Sequence, residues 1–452
     1  MTAPMTGLFD GLLAEITATP TIRRVGRVVE TRRGLVEVTG LDGATLGDRV
    51  RISSRDGQAG GEVLRLLPGR ASVLPDASGD GMAIGDRVEL LGKAEVAPDA
   101  GWIGRIVDAM GQPLDGRPLL RGAKASALRA PAPPAASRRR LGARLGTGVA
   151  VFDTLLPLVR GQRIGLFAGS GVGKSSLLAR FARGVEADVV VIALVGERGR
   201  ELREFTERVL GPAGMARSII VTATSDQSPL MRRMCAYTAM AVAEHFRDLG
   251  LHVLLLVDSV TRFAEAHREI ALAGGEEASL RGFPPSLNQA IMGLAERAGP
   301  GPEGAGDITA VFSVLVAGSD MDEPVADILR GVLDGHVVLD RRIAERGRFP
   351  AIDLLRSVSR SLPEAADEAE NTLITEARRL LGAYDRAELM IQAGLYATGT
   401  DPVIDRAIRL WPLLDAFLAE AAPADGIAGS FERLRACLAD QSPPDRRSAL
   451  DR

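Results

Sequence analysis

The stretch AGSGVGKS (168–175) concentrates the chemistry of this chain: glycines at 169, 171 and 173, then Lys174, Ser175 and a further Ser176. Without a Cβ, glycine lets the backbone curl so that successive N–H groups point inward and phosphate oxygens approach unobstructed. RIGLFA (163–168) before the loop has the length and apolarity of a buried strand, and Leu177, Leu178 and Phe181 after it share one helical face. The loop therefore opens a helix, whose N-terminus favours an anion. In such a cradle Lys174 reaches β- and γ-phosphates and the Ser175 hydroxyl ligates Mg²⁺. Gly169, Ser170, Gly171, Val172, Gly173, Lys174, Ser175 and Ser176 are thus the candidate nucleotide-binding loop. The pattern G-x-x-x-x-G-K-[ST] is departed from only at Ala168, which is harmless where a strand end keeps φ negative.

Two carboxylates extend this chemistry from binding to hydrolysis. LLLVDS (254–259) reads as a buried strand ending in Asp258, a position suited to a carboxylate that holds Mg²⁺ through water. The competing reading is a helix N-cap. VGERGRELREF (195–205) places Glu197 in a strand-to-helix loop at the carboxyl edge of the sheet, where open α/β folds bind ligands. A carboxylate there can orient and deprotonate an attacking water. The stretch is charge-dense, so a solvated charged face is the alternative.

These groups need a parallel α/β scaffold. From about 145 to 360, the strand candidates RIGLFA, VVVIALV, SIIVTAT, HVLLLVDS and ITAVFSVLVA alternate with helical patterns, which predicts a parallel sheet with helices on both faces. Upstream, IRRVGRVVE, LVEVTG, RVRIS, EVLRLL and RVELL (22–91) alternate with Gly/Asp turns and predict a small β-barrel or sandwich. APAPPAASRRR (130–140) reads as an exposed linker or crossover. Downstream the chain turns helical, with Ile404, Ile408 and Trp411 on one face and Leu434 and Leu438 on another. Leu8, Phe9, Leu12, Leu13 and Ile16 form a short amphipathic arm, either packed on its own domain or open to a partner. The fold class is α/β, a P-loop core between an N-terminal β-barrel and a C-terminal helical domain. The boundaries are 1–20 for the arm, 21–97 for the barrel, 98–370 for the core and 371–452 for the helices.

Composition narrows the function. A net charge of −3 and 4% aromatic residues over 452 residues argue against nucleic-acid binding. Two distant cysteines and four scattered histidines show no ligand spacing. No apolar run reaches membrane-helix length, and the N-terminus lacks the basic start of a signal peptide. A cytoplasmic location is the expectation.

Taken together, GRIVDAMGQPLDG (104–116), FAGSGVGKSS, VGERGRELREF, TSDQSPLMR (224–232), LLLVDSVTRFAEAHREIALA (254–273), RGFPPS (281–286), LDGHVVLDRRIAERGRFPAID (333–353) and SVSR (357–360) resemble the hexameric rotary-type ATPases. The resemblance spans residues 20–440 and is strongest to the type III secretion branch, the flagellar export ATPases in particular. It implies a RecA-like core and ATP with Mg²⁺ as cofactors. It assigns Glu197 as the catalytic glutamate, Arg198 and Arg262 as arginines near the γ-phosphate, Glu201 as a nearby acid and Asp258 as the Walker B aspartate. It also implies that Phe349 stacks on adenine, where the family usually has tyrosine, and that Arg360 is an arginine finger reaching a neighbouring subunit. One departure is Ala150 in TGVAVFD, where that family more often has arginine.

Implied partners are a homohexamer, a stator-like regulator on the arm, and a central stalk, chaperones and export substrates on the C-terminal helices. A membrane export gate completes the set. Alternatives left open are an injectisome ATPase, a rotary ATP synthase subunit and, from another class, a ring-shaped RNA translocase.

Overall fold

The computed structural model describes residues 8–19, 21–32, 34–77, 81–316, 321 and 323–439, without the side chains of Leu8, Phe9, Asp10, Leu12, Ala18 and Leu280. Residues 1–7 and 20 of the arm and 440–452 of the helical region lie outside the described residues. The chain forms two compact units: Met1–Gly142, Arg160–Ser170 and Ala187–His336 in the first, and Ala143–Val159, Gly171–Glu186 and Val337–Arg452 in the second.

In the first unit, β1 (Arg24–Arg32), β2 (Leu35–Thr39), β3 (Arg49–Ser54), β4 (Gly57–Leu67), β5 (Arg70–Pro75) and β6 (Arg87–Gly92) close a barrel in the order β1-β2-β5-β4-β3-β6. Period-2 alternation turns Val28, Val36, Val38, Val50, Ile52, Val63, Val73 and Val88 into one interior cluster. Closure removes the exposed edges that an open sheet this small would present. Neither β5 nor the start of β4, GQAGG (57–61), is among the strands read from sequence. The glycines of GQAGG permit close strand approach: a Cβ on Gly60 would stand 2.0 Å from Asp76 Oδ2, and one on Gly61 2.8 Å from Val73 Cγ1.

The same unit holds the parallel sheet. Short strands β7 (Glu95–Val96) and β9 (Ser126–Ala127) pair outside it. Its strands are β8 (Ile106–Asp108), β10 (Arg163–Ala168), β11 (Val189–Glu197), β12 (Ser218–Thr224), β13 (His252–Asp258) and β15 (Asp307–Leu315). They run in the order β10-β15-β13-β11-β12-β8, with β14 (Gly299–Pro300) antiparallel to β15. Being covered on both faces, these strands read as unbroken apolar runs, and Val189–Val195 is buried throughout. Helix Pro229–Asp248 buries Leu230, Met234, Met240 and Phe246 in the cluster these strands form. The Pro/Ala-rich stretch is tied down more than a linker would be: Arg138 Nη1 donates to Glu296 Oε2 at 2.9 Å and Arg139 Nη2 to Asp307 Oδ1 at 2.6 Å.

The second unit holds helix Lys174–Gly184, the hydrogen-bonded neighbours β16 (Gly335–Leu339, with its first two residues in the first unit) and β17 (Ile352–Ser359), and three C-terminal helices. Phe181 meets Phe152 edge to face at 4.8 Å. Asp153, fully buried, accepts from the N–H and Oγ1 of Thr147 at 2.9 and 2.7 Å. Ala150 is likewise buried, its N–H donating to the Glu420 carbonyl. Helix Glu368–Gln392 opens with a capping box, Asp367 and Glu370 each accepting from the other's backbone N–H. In helix Pro402–Phe417 the buried face is Ala407, Leu410, Leu414 and Phe417. Ile404, Ile408 and Trp411 are only half-buried beside it, so the apolar face is offset from the one read off the sequence. Trp411 stacks on Tyr384 at 4.7 Å instead. Phe431, Leu434 and Leu438 are buried on helix Gly426–Leu438.

Candidate functional site

The glycine loop takes the form its sequence predicts. Ala168 closes β10, fully buried, opposite Leu315 of β15, so the first motif position belongs to the strand. Gly171 and Gly173 have φ of 78° and 89°, the left-handed region in which a side chain would be strained. Gly173 caps helix Lys174–Gly184, and the Leu177 N–H already donates to its carbonyl. The remaining N–H groups of the first turn are those that a helix leaves for an anion. Val172 is buried and anchors the loop, while Ser175 and Ser176 are exposed. Phe349, 46% exposed and followed by Pro350, lies against this loop: a Cβ on Gly173 would be 3.1 Å from its ring. The loop from Gly171 and the Phe349 ring are therefore brought together in one unit.

Arg360 follows the last residue of β17 and is exposed. Its neighbours are not: Ser359 and Ser361 are buried and both donate to the Pro157 carbonyl, at 2.7 and 3.2 Å. The backbone on each side of this guanidinium is fixed, which limits the entropy lost when it engages a ligand.

In the first unit the carboxyl ends of adjacent parallel strands carry the acids. Asp258 is buried at the end of β13 and accepts from Ser313 Oγ at 2.7 Å. The peptide to Ser259 is cis, and Ser259 caps helix Val260–Ala273. Leu194 of β11 stands opposite Asp258, which leaves Glu197 three residues further along that strand. Between them the pairing with β12 slips, from Val195 opposite Ala223 to Glu197 opposite Thr224. The slip is made at Gly196, with φ 70°. Arg262 comes up beside this turn. Its ion pair with Glu265, 2.8 Å long, holds its guanidinium above the ordinary arginine value, and the Glu197 charge adds to the effect. Arg198 and Glu201 instead pair with each other at 3.2 Å on an exposed surface. After Glu204 the expected helix widens into a π-helical turn, Phe205–Leu210, which the sequence pattern did not reveal.

Ser313 and Arg232 also belong to this edge and were missed. Ser313 is a hydroxyl inside an apolar strand, a polar exception that could have been noticed. Arg232 closes TSDQSPLMR, a motif noted only as a whole. Among the described residues no three His, Cys, Asp or Glu side chains cluster as a metal site.

A glycine-rich loop that leads from a buried parallel strand into a helix N-terminus has the form of a phosphate-binding loop. The model of the ATP synthase alpha/beta family nucleotide-binding domain matches residues 148–359, and that of the T3SS EscN ATPase C-terminal domain residues 366–423. The chain is 45% identical over 419 residues to the flagellum-specific ATP synthase of Caulobacter vibrioides, covering 90% of this chain and 94% of the relative. The structure of the assembled ATPase EscN from the enteropathogenic E. coli type III secretion system superposes with a TM-score of 0.84 at 34% identity, over 92% of this chain and all of that one. EscN in complex with its central stalk EscO gives 0.83 at 35% identity, with the same coverage. The chain belongs to the flagellum-specific and type III secretion ATPases of the ATP synthase alpha/beta family.

Proposed function

We propose that this chain hydrolyses Mg-ATP as a subunit of a homohexamer serving the flagellar type III export apparatus. The observation that carries the proposal is the loop Gly169–Ser176, with two left-handed glycines running into a helix N-terminus and an aromatic ring against it. In this reading Lys174 and the loop N–H groups hold the β- and γ-phosphates, and Phe349 stacks on adenine. The Ser175 hydroxyl and the Asp258 carboxylate, the latter partly through water, offer the hard oxygen donors that Mg²⁺ takes. Bound there, Mg²⁺ neutralises charge on the phosphates. Glu197 orients the attacking water and removes its proton. Arg198 and Arg262 lie near the γ-phosphate, and Arg360 reaches a neighbouring subunit's site. A finger supplied in trans makes turnover depend on assembly.

The arm (1–20) docks a stator-like regulator, and its exposed Leu13 and Ile16 support that role. The barrel (21–97) and ATPase domain (98–370) form the ring. The helical domain (371–452) meets the central stalk, chaperones and substrates, and Leu389 and Leu395 there are 80% and 78% exposed. Among the described residues no helix is long and apolar enough to cross a membrane. We place the enzyme in the cytoplasm, peripheral to a membrane export gate.

Purified protein should hydrolyse ATP only with Mg²⁺, and faster per subunit when assembled. Lys174→Ala should abolish turnover, and Arg360→Ala should lower kcat by about 10³–10⁵-fold. Full activity of the Arg360 variant would remove the trans finger, and a monomer as fast as the ring would remove the hexameric mechanism.

A further inference from the structure

The turn that presents Glu197 is walled by two arginine stems. A Cβ on Gly196 would lie 3.3 and 3.4 Å from Cβ and Cγ of Arg262 and 3.5 Å from Cδ of Arg232. The Arg262 stem is one wall and the Arg232 stem is the other.

Arg232 is held more firmly than an ordinary surface arginine. Its side chain is 14% exposed. Nε donates to the Gln227 carbonyl at 3.2 Å, and Nη2 donates to both carboxylate oxygens of Glu269 at 3.0 and 3.2 Å. Glu269 sits on helix Val260–Ala273, which begins two residues after Asp258 and also carries Arg262 and its partner Glu265. One helix therefore supplies the acids that fix both walls. The adjacent residue, Arg233, is buried and donates to Glu62 Oε1 on β4 at 2.8 Å. Glu62 also accepts from Arg129 at 2.5 Å. Near the start of helix Pro229–Asp248, Arg233 is thus tied to the barrel, and Arg232 before it to helix Val260–Ala273 through Glu269.

We propose that Arg232, locked by Glu269, is a positioning residue for Glu197: its stem packs on Gly196 and sets the bulge that delivers the carboxylate. The proposal rests on the reading of Glu197 as the catalytic base. A pair that merely stapled two helices together would contribute to stability and leave the chemical step untouched. A wall on the turn acts on the chemical step, because small misplacements of a catalytic group are costly.

The test uses the full-length assembled protein and four variants: Arg232→Ala, Arg232→Lys, Glu269→Gln and Glu197→Gln. For each, kcat, KM for Mg-ATP, affinity for a fluorescent ADP analogue and the unfolding midpoint are measured. Arg232→Ala and Glu269→Gln should lower kcat by about 10–100-fold, with KM and analogue affinity unchanged. Arg232→Lys, which keeps the stem and a charge for Glu269, should recover most of the rate. Wild-type kcat in both Arg232→Ala and Glu269→Gln overturns the proposal, as does a rate loss in Arg232→Lys equal to that of Arg232→Ala. Should Arg232→Ala fail to fold, Glu269→Gln and Arg232→Lys carry the same comparison. Glu197→Gln separates the two levels. If it keeps turnover, the base assignment fails and the positioning role goes with it; if it is dead while the other variants run at full rate, only the positioning role fails.

Discussion

Two neighbouring strands of one sheet end in acids, and they are built differently. At the end of β13, Asp258 is 3% exposed, hydrogen-bonded to Ser313 and followed at once by a capped helix. At the end of β11, Glu197 is half-buried and stands beyond a left-handed glycine and a slip in register. Its following segment is exposed and widens into a π-helical turn. A carboxylate whose task is to hold a cation gains from a fixed place. One that, in the mechanism proposed above, must meet a water is placed instead by a turn that stands between two arginine stems. Parallel pairing brings the two ends to one edge of the sheet, where a serine hydroxyl holds one acid and a glycine turn presents the other.

The largest expected effects would break this comparison if they came out alike. Glu197→Gln should lower kcat by about 10²–10⁴-fold while Mg-ATP binding persists. Asp258→Asn should lose turnover and also the Mg²⁺ dependence of nucleotide affinity. Titrating a fluorescent analogue with Mg²⁺ and with chelator separates them. Equal loss of affinity in both variants would mean that the two acids do one job.

The sequence exposed these ends unequally. The glycine loop and both acids were legible because strand, turn and helix signals coincide with the residue chemistry in a few consecutive positions. The central strands were legible because burial on both faces makes them continuous apolar runs. What stayed hidden depends on contacts between distant segments. GQAGG shows its place in a strand only when Asp76 and Val73 are seen crowding Gly60 and Gly61. The offset face of helix Pro402–Phe417 depends on its neighbouring helices, since both candidate stripes are apolar. The π-helical turn leaves no mark that periodicity can detect. Arg232 gains its meaning only when Glu269 and Gly196 are brought to it.

Gly196→Ala tests the Glu197 turn directly. An alanine forced to φ near 70° is strained by about 1–2 kcal/mol, and its Cβ presses on the Arg262 stem at 3.3 Å. Turnover should fall more than the unfolding midpoint would suggest, with nucleotide affinity retained. A drop in stability with wild-type kcat would show that the turn does not set the Glu197 position.

The helix after Asp258 adds a pH signature to the fixed end. His267 on that helix is pushed down to about 4, first by burial and then by the nearby charges of Arg233 and Arg129, with Glu276 opposing them. Ser286 Oγ donates to Glu276, so it accepts from the neutral ring at Nε2, 2.8 Å away. In the unfolded chain this imidazole takes a proton near 6.5, while in the folded protein it resists until about 4. Acidification through that window favours the unfolded state, and stability is lost progressively as pH falls. His267→Gln should flatten the dependence of the unfolding midpoint between pH 6.5 and 4; an unchanged slope would assign the acid sensitivity elsewhere.

Ser313→Ala gives the smallest expected effect and the finest resolution. It removes the donor to Asp258 Oδ1 from a fully buried position and leaves the carboxylate in place. A hydrogen bond to a charged group contributes about 1.5–3 kcal/mol at most in such a setting, and an acid that finds another donor loses less. The midpoint should fall modestly, and the Mg²⁺ concentration for half-maximal rate should rise, because a carboxylate that is less firmly held presents its oxygens less uniformly to the cation. Saturating Mg²⁺ should restore kcat. The Glu197 turn predicts the opposite pattern for Gly196→Ala, a rate defect that no Mg²⁺ concentration repairs. If Ser313→Ala also lowers kcat at saturating Mg²⁺, Asp258 takes part in the chemical step beyond holding the cation, and the two strand ends are less distinct than their construction implies.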